Sequence, residues 1–183
     1  CSPTNLRYIL LALLIIEYMR RISLNNVNIV EIGGGYGGEA FFISKLAPLF
    51  NIDISSYTIM DLHEASLLAE KYLKAHNINA KTTQLSNCDT LHKNSFLVSN
   101  YALSELTLEL QKEYVDQVLY PYISHGFLTW NFPHVFAGDF YKKFVADKSI
   151  YRVSEFPQTN KRNINSYVYF RPKKEINFAR PEE

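Results

Sequence analysis

The residues best suited to chemistry are a cluster of glycines that follows a short apolar run. The chain has only seven glycines, and five of them fall between Gly33 and Gly38. Glycine lets the backbone adopt positive φ, and it lets a ligand approach without a Cβ in the way. A helix that begins after such a turn presents unpaired N–H groups and the positive end of its dipole. The cluster therefore predicts a ligand-binding loop rather than a plain turn, which needs one or two glycines.

Three classes of ligand use glycine-rich loops of this kind. A phosphate-binding loop of the GxxxxGK[ST] type does not fit, because no Lys-Ser or Lys-Thr follows the glycines. The dinucleotide pattern GxGxxG is met by Gly33, Gly35 and Gly38, so the glycines alone leave a nicotinamide cofactor open. Glu31, two residues before the first glycine, favours the third class, because a carboxylate repels a pyrophosphate but attracts an ammonium or sulfonium group.

The elements that must position this loop alternate between strands and helices. Strands are expected at 27–32, 57–62, 80–85, 96–99, 126–130, 150–155 and 164–170. Helices are expected at 2–21, 37–46, 64–76, 105–120 and 136–146. The alternation predicts an α/β fold with a mainly parallel seven-stranded sheet that helices cover on both faces. The last two strands are too close for a helical crossover, so they are expected to form an antiparallel hairpin.

At the glycine loop the sequence resembles the class I S-adenosylmethionine-dependent methyltransferases. Their first motif is an apolar strand, an acid, an apolar residue and then GxGxG, and residues 31–37 (EIGGGYG) match each position. The resemblance extends over about residues 27–170 and implies a Rossmann-like three-layer sandwich. Residues 31–38 (EIGGGYGG) and 99–105 (SNYALSE) are similar, more narrowly, to sugar O-methyltransferases.

The resemblance implies S-adenosylmethionine as the cofactor and indicates which residues hold it. These residues are Glu31, Gly33, Gly34, Gly35 and Gly37 in the loop, Asp61 and Leu62 after the second strand, Asn87 after the third strand and Asn100 after the fourth. Asp61 matches the acid that holds the ribose hydroxyls in this family, but Asp is also a good N-cap for the helix that follows. Asn87 and Asp89 are both candidates for contacting adenine, and both are equally suited to a polar turn.

Methyl transfer to a hydroxyl requires a base that removes the hydroxyl proton as the methyl group arrives. His134 follows the fifth strand and is the leading candidate, because imidazole has a pKa near neutrality. Glu105 and Tyr101, after the fourth strand, are the next candidates. Ser104 could cap the next helix, which would place Glu105 in its first turn. Asn100 is followed by Tyr101 rather than by the prolines of amino-methylating members, so DNA-type N-methylation is disfavoured.

Composition narrows the choice of partners and compartment. With 19 basic and 18 acidic residues the formal net charge is +1, so there is no general attraction to nucleic acid or to an acidic membrane surface. The longest uncharged apolar run, residues 8–16, is less than half of the roughly 20 residues that a membrane-spanning helix needs. Two cysteines, Cys1 and Cys88, cannot form a disulfide framework and predict a cytoplasmic protein. No Cys/His spacing is typical of a metal site, so no metal ligands are predicted, and the sequence leaves metal dependence open.

We therefore expect an N-terminal helix (1–22), a cofactor-binding methyltransferase domain (23–171) and a tail (172–183). Because the chain begins at Cys1 rather than Met, we expect it to be a fragment of a longer protein. The expected function is O-methylation of a sugar or another small-molecule hydroxyl, and the sequence leaves the oligomeric state open. An NAD(P)-dependent oxidoreductase and a non-catalytic partner subunit of the same fold are the alternatives. The first lacks a second nucleotide-binding half in so short a chain, and the second would have lost its glycine loop.

Overall fold

Seven strands and six α-helices form the part of the chain that the computed structural model describes, which comprises residues 2–131, 146–162 and 164–173. The strands are β1 (Asn26–Ile32), β2 (Asp53–Met60), β3 (Lys81–Thr83), β4 (Ser95–Asn100), β5 (Ile123–Trp130), β6 (Lys148–Ser154) and β7 (Ser166–Pro172). The α-helices are α1 (Pro3–Arg21), α2 (Gly38–Leu46), α3 (His63–Ala75), α4 (Ala102–Glu105), α5 (Leu108–Tyr114) and α6 (Tyr120–Tyr122). Short 3-10 segments lie at Ala47–Phe50 and Leu85–Thr90, and a π-helical turn at Val115–Leu119 joins α5 to α6.

The strands form one mixed sheet in the order β3-β2-β1-β4-β5-β7-β6. Strands β1 to β5 pair in parallel, whereas β7 pairs antiparallel with both β5 and β6. The predicted α/β fold with a mainly parallel seven-stranded sheet is confirmed, as is the antiparallel hairpin. The hairpin's second strand lies between β5 and β6, which the sequence did not predict. Because β1, β2 and β4 are parallel, the loops after them meet at one edge of the sheet.

Successive side chains of each strand point to opposite faces of the sheet, and one hydrophobic cluster lies on each face. In β1, Ile29 packs into the cluster that α1 and α2 cover, whereas Val30 and Ile32 pack into the opposite cluster. Helix α1 buries one stripe against the first cluster, including Leu11 and Ile15. Its start is fixed as predicted, by Pro at the first turn and by a side-chain cap from Ser2, which accepts the Asn5 N–H at 3.2 Å. The core thus holds the N-terminal helix against the sheet.

The single helix predicted at 105–120 is wrong. Leu106 is extended (ψ 157°), so it separates α4 from α5. The cap of α5 is Thr107, whose Oγ1 accepts the Leu110 N–H at 3.3 Å, and Ser104 lies inside α4 instead. A local side-chain cap at Thr107 restarts the helix where the sequence pattern suggested a continuous one.

Two other boundaries differ from the sequence prediction. Strand β2 begins at Asp53 and ends at Met60, so Leu62 follows the strand rather than ending it. Strand β5 begins at Ile123 rather than at residue 126, so His125 is a buried residue inside the strand. The helix predicted at 136–146 falls almost wholly outside the described residues.

Within the described part of the chain, no helix combines the length and apolar character that crossing a membrane requires. The same residues contain no group of three or more His, Cys, Asp or Glu side chains arranged to hold a metal ion.

Candidate active site

The loop between β1 and α2 has the backbone conformation that its glycines allow. Gly33, Gly35 and Gly37 have φ values of +76°, +55° and +88°, which L side chains rarely adopt. The Gly33 N–H donates to the Met60 carbonyl at 2.9 Å, and the Gly37 N–H donates to the Gly34 carbonyl at 2.9 Å. The first bond ties the loop to the end of β2, and the second closes the turn that leads into α2.

Gly35 is the glycine that faces open space. A Cβ at Gly35 would meet no atom within 4 Å, whereas a Cβ at Gly33 would overlap the Cβ of Ala102. Gly34 and Gly37 are also packed, since added Cβ atoms would lie 2.7 Å from Ile59 and 2.9 Å from Leu73. The loop therefore needs three of its glycines for close packing, and it leaves the Gly35 backbone exposed to an approaching ligand.

A cavity of about 710 Å³ lies beside Gly35. Its walls are the N-terminal half of α1, Glu31 and the glycine loop, the residues Asn100 and Tyr101 at the end of β4, and part of the segment 155–159. Strand ends, the glycine loop and the N-terminal helix thus share one opening. Trp130, at the end of β5, is buried in the core and does not line this cavity.

Asp61 reaches the glycine loop from the end of β2. Its Oδ2 accepts the Gly35 N–H at 2.8 Å, and its Oδ1 accepts the Leu62 N–H at 2.7 Å. Helix α3 begins at His63 with Leu62 as its N-cap and has no side-chain cap hydrogen bond, so Asp61 does not cap it. Each carboxylate oxygen can accept a further hydrogen bond. Leu62 is 76% exposed and presents an apolar surface next to this carboxylate.

Two carboxyl groups, Glu31 and Glu39, are buried beneath the loop, each with 1% exposure. Burial is the main reason that the pKa of Glu31 rises to about 7. A hydrogen bond from Tyr57 lowers this pKa, and the nearby Asp61 charge raises it. The Tyr57 hydroxyl donates that bond to Glu31 Oε2 at 2.9 Å. Burial and the charge of Glu31 also raise the pKa of Glu39 well above its ordinary value, although Arg7 lowers it.

Asn100 connects the end of β4 to this buried pair. The Thr129 hydroxyl donates to Asn100 Oδ1 at 2.7 Å, and Asn100 Nδ2 lies 3.5 Å from Glu39 Oε2 as a weak donor. The other oxygen, Glu39 Oε1, is buried and has no hydrogen-bond partner among the described residues. A buried carboxyl oxygen without a partner is costly, so this atom marks a place where a donor would stabilise the site.

A polar network closes the other side of the cavity around Glu155. Oε1 of this residue accepts from Arg7 Nη2 at 3.1 Å and from the Tyr101 hydroxyl. Oε2 accepts from Thr159 Oγ1 at 2.8 Å and from Asn165 Nδ2 at 2.9 Å. Burial alone would raise the pKa of Glu155, but the bonds from Tyr101, Asn165 and Thr159 outweigh it and lower the pKa. Glu155 is therefore a carboxylate at neutral pH and orients the groups around it.

Tyr101 is held in an unusual conformation by this network. Its φ is +66°, although it is not a glycine, and the Arg7 guanidinium carbon lies 4.5 Å from the centre of its ring. Burial and the bond to Glu155 raise the pKa of the Tyr101 hydroxyl. At neutral pH this hydroxyl is protonated and acts as a hydrogen-bond donor.

The remaining predicted residues lie farther from the cavity or outside the described chain. Asn87 is exposed on the 3-10 segment after β3 and does not line the cavity. Glu105 is exposed, accepts from Asn131 Nδ2 at 2.6 Å and does not line the cavity either. His134 lies outside the described residues.

Sequence reasoning missed three charged residues of the site, namely Arg7, Glu39 and Glu155. Two of them carry a local signal. Arg7 is the one charged side chain between residues 2 and 16, and Glu39 is the one acid in an apolar helix that follows the glycines. Glu155 has no such signal, because its partner Arg7 is 148 residues away.

Several solved structures share this architecture, and they are methyltransferases. The plantazolicin methyltransferase BpumL, in complex with a monoazolic desmethylPZN analog and SAH, matches with a TM-score of 0.58 and 14% identity over 92% of this chain and 84% of that chain. An S-adenosylmethionine-dependent methyltransferase from Clostridium acetobutylicum ATCC 824 matches with a TM-score of 0.63 and 11% identity over 86% of this chain and 88% of that chain. The chain has the class I methyltransferase fold.

The mitomycin 7-O-methyltransferase MmcR also has this fold, with a TM-score of 0.55 and 11% identity over 80% of this chain and 49% of that chain. At such identities the likeness concerns the architecture alone. No protein-family model matches the chain, and no curated protein matches it.

Proposed function

We propose that the chain is an S-adenosylmethionine-dependent methyltransferase that methylates a hydroxyl of a small molecule, with a sugar as the expected acceptor. The observation that carries this proposal is Glu31, a buried acid placed directly before a glycine loop whose exposed backbone is that of Gly35. A carboxylate at this point attracts a cationic cofactor and repels a pyrophosphate. The methyltransferase fold of the chain supports the same choice.

The residues around the loop fit the different parts of this cofactor. Asp61 offers carboxylate oxygens for ribose hydroxyls, and Leu62 offers an exposed apolar surface for a flat ring. Glu31 and the unpartnered oxygen of Glu39 offer acceptors for an ammonium group. The open space at Gly35 leaves room for the part of the cofactor between its adenosine and its ammonium group.

When bound, the cofactor supplies a methyl group on a positively charged sulfur, so that an acceptor oxygen can form a bond to carbon while the carbon–sulfur electron pair returns to sulfur. The chain must orient the acceptor and receive its hydroxyl proton. Tyr101 is suited to orienting the acceptor by ring contact, because its side chain lines the cavity and its hydroxyl is held in place by the bond that it donates to Glu155. His134 remains our proposed base for the proton, with Glu105 as the alternative. We also propose that the reaction takes place in the cytoplasm, in line with the cysteine usage.

Similarity of residues 31–38 and 99–105 to sugar O-methyltransferases is the reason for proposing a sugar. The cavity of about 710 Å³ suits a small acceptor, since ligand pockets of proteins span about 300–1,000 Å³. Solved relatives by fold include a mitomycin 7-O-methyltransferase and a methyltransferase complexed with a desmethylPZN analog, which supports a small acceptor in general rather than a sugar in particular.

Calorimetry with S-adenosylhomocysteine and, in parallel, with NAD tests the cofactor. We expect S-adenosylhomocysteine to bind and NAD to bind far more weakly or not at all. Binding of NAD alone would favour the oxidoreductase instead. A panel of free and nucleotide-linked sugars, amines and phenols, screened with radiolabelled methyl donor, then tests the acceptor. Cofactor binding with no transfer to any acceptor would favour a non-catalytic partner subunit, and transfer to an amine would refute O-methylation.

A further inference from the structure

Helix α1 forms a wall of the candidate site as well as part of the core. Its inner stripe packs on the sheet, whereas Leu6, Arg7 and Leu10 line the cavity. Arg7 is the one Lys, Arg or His among the described residues that line the cavity, and its side chain is 27% exposed. The helix therefore brings a single positive charge to a site that otherwise carries acids.

Charged groups of both signs meet at the site. Glu31 and Arg7 both line the cavity, and Glu39 is buried in the first turn of α2. Arg7 is close enough to Glu39 to lower the pKa of that carboxyl. An α-amino acid group carries both an ammonium and a carboxylate, so it fits a site that offers both carboxyl groups and a guanidinium.

We infer that Arg7 binds the carboxylate of the amino-acid end of S-adenosylmethionine, and that helix α1 is thereby part of the cofactor site. This inference rests on the proposed function. It adds a residue of the N-terminal helix to a site whose predicted residues all lie in or after β1.

The network around Glu155 restricts the position of the Arg7 side chain before a ligand binds. A guanidinium has five N–H donors, and the bond to Glu155 is made by Nη2. The guanidinium carbon also lies 4.5 Å from the centre of the Tyr101 ring, and this second contact limits the movement of the side chain. Because both partners fix the side chain before a ligand arrives, little conformational freedom is lost on binding.

A pair of ligands separates carboxylate binding from a merely structural role. S-adenosylhomocysteine carries the amino-acid group, whereas 5′-methylthioadenosine has the same adenosine and thioether without it. For Arg7→Gln we expect the affinity for S-adenosylhomocysteine to fall about ten- to a hundredfold, which is typical when a hydrogen bond to a charged group is lost. The affinity for 5′-methylthioadenosine is expected to change less than about twofold. Both are measured by calorimetry without acceptor, so an anionic acceptor cannot produce the difference.

Two further variants make the result decisive. Arg20→Gln removes an arginine from the same helix that pairs with Glu17 outside the cavity, and it is expected to leave both affinities unchanged. Arg7→Lys keeps the charge, so it is expected to lose less affinity for S-adenosylhomocysteine than Arg7→Gln does, and it serves if the glutamine variant does not fold.

Equal weakening of both ligands by the Arg7 variants would overturn the inference and leave Arg7 as a positioning residue for the Glu155 network. Unchanged affinity for S-adenosylhomocysteine would overturn it as well. If the unmodified protein binds neither ligand, the proposed function itself fails, and the inference fails with it.

Discussion

We expect the buried carboxyl of Glu31 to make the affinity for S-adenosylhomocysteine depend on pH. Its pKa is raised to about 7, mainly because burial penalises the charged form. The groups that face it are the Tyr57 hydroxyl on β2, the carboxyl of Glu39 on α2 and the carboxylate of Asp61 after β2. A cationic group bound beside Glu31 favours the carboxylate, so binding must expel the proton that the free protein holds.

The size of the effect follows from the pKa in the free protein. A carboxyl with a pKa of about 7 is about nine-tenths protonated at pH 6 and about one-tenth protonated at pH 8. If the bound cation keeps Glu31 ionised throughout this range, the affinity rises about tenfold from pH 6 to pH 8, or about 1.4 kcal/mol. For a ligand that binds the protonated carboxyl, the affinity would instead fall as the pH rises.

Calorimetry with S-adenosylhomocysteine between pH 6 and pH 8 measures this dependence, and repeating it in buffers of different ionisation enthalpy counts the released protons. Glu31→Gln cannot ionise, so its affinity is expected to be lower and nearly independent of pH. Glu109→Gln, an exposed acid in the first turn of α5, is the matched control and should keep the slope of the unmodified protein. A flat profile for the unmodified protein, or an unchanged slope in Glu31→Gln, would refute the reasoning.

Three substitutions test the glycine loop, the acid that binds it and the packing of the core. Gly35→Val is expected to abolish S-adenosylhomocysteine binding in calorimetry, because the valine side chain would fill the open space that the ligand needs, at a φ of +55° that valine rarely adopts. Circular dichroism is expected to show an intact fold, and unchanged affinity would contradict the prediction. Asp61→Ala is expected to weaken binding by about 1.5–3 kcal/mol and to lower the free energy of unfolding by less, since Asp61 does not cap α3 and its bonds to the Gly35 and Leu62 N–H groups are exposed; a lowered melting temperature with full affinity would contradict this. Gly126→Ala is expected to cost about 1–3 kcal/mol in urea unfolding, because its Cβ would overlap the Phe170 ring in the core, and an unchanged unfolding midpoint would show that the ring moves aside.

Local patterns were enough to predict most of the fold. The β-branched run before the glycines predicted β1 to within one residue at its start, and the cap at Ser2 predicted the start of α1. Both signals lie within a few residues of the element they define. The prediction of a single helix at 105–120 was wrong because it used hydrophobic periodicity alone. Periodicity does not reveal the extended conformation of Leu106 or the cap at Thr107, which together break the helix.

The candidate site was predictable only where its residues lie next to the motif. Glu31 and Gly35 follow from spacing, and Asp61 follows from the end of the second strand. The opposite wall depends on contacts between α1 and the segment after β6, where Arg7 and Glu155 meet across almost the whole chain. The positive φ of Tyr101 likewise depends on a tertiary network rather than on its own residue type.

The two buried carboxyls predict opposite pH trends for the two cofactors considered. A bound ammonium replaces the proton of Glu31 with a fixed positive charge, so S-adenosylhomocysteine should bind more tightly as the pH rises through about 7. A pyrophosphate placed on the same loop would instead face carboxylates as they lose their protons, so any affinity for NAD should fall over the same range. Parallel titrations of both ligands at pH 6 and pH 8 measure the two slopes. An affinity for NAD that rises with pH would show that Glu31 and Glu39 do not act on the group bound at the loop, and the electrostatic reason for choosing the methyl donor would then be wrong.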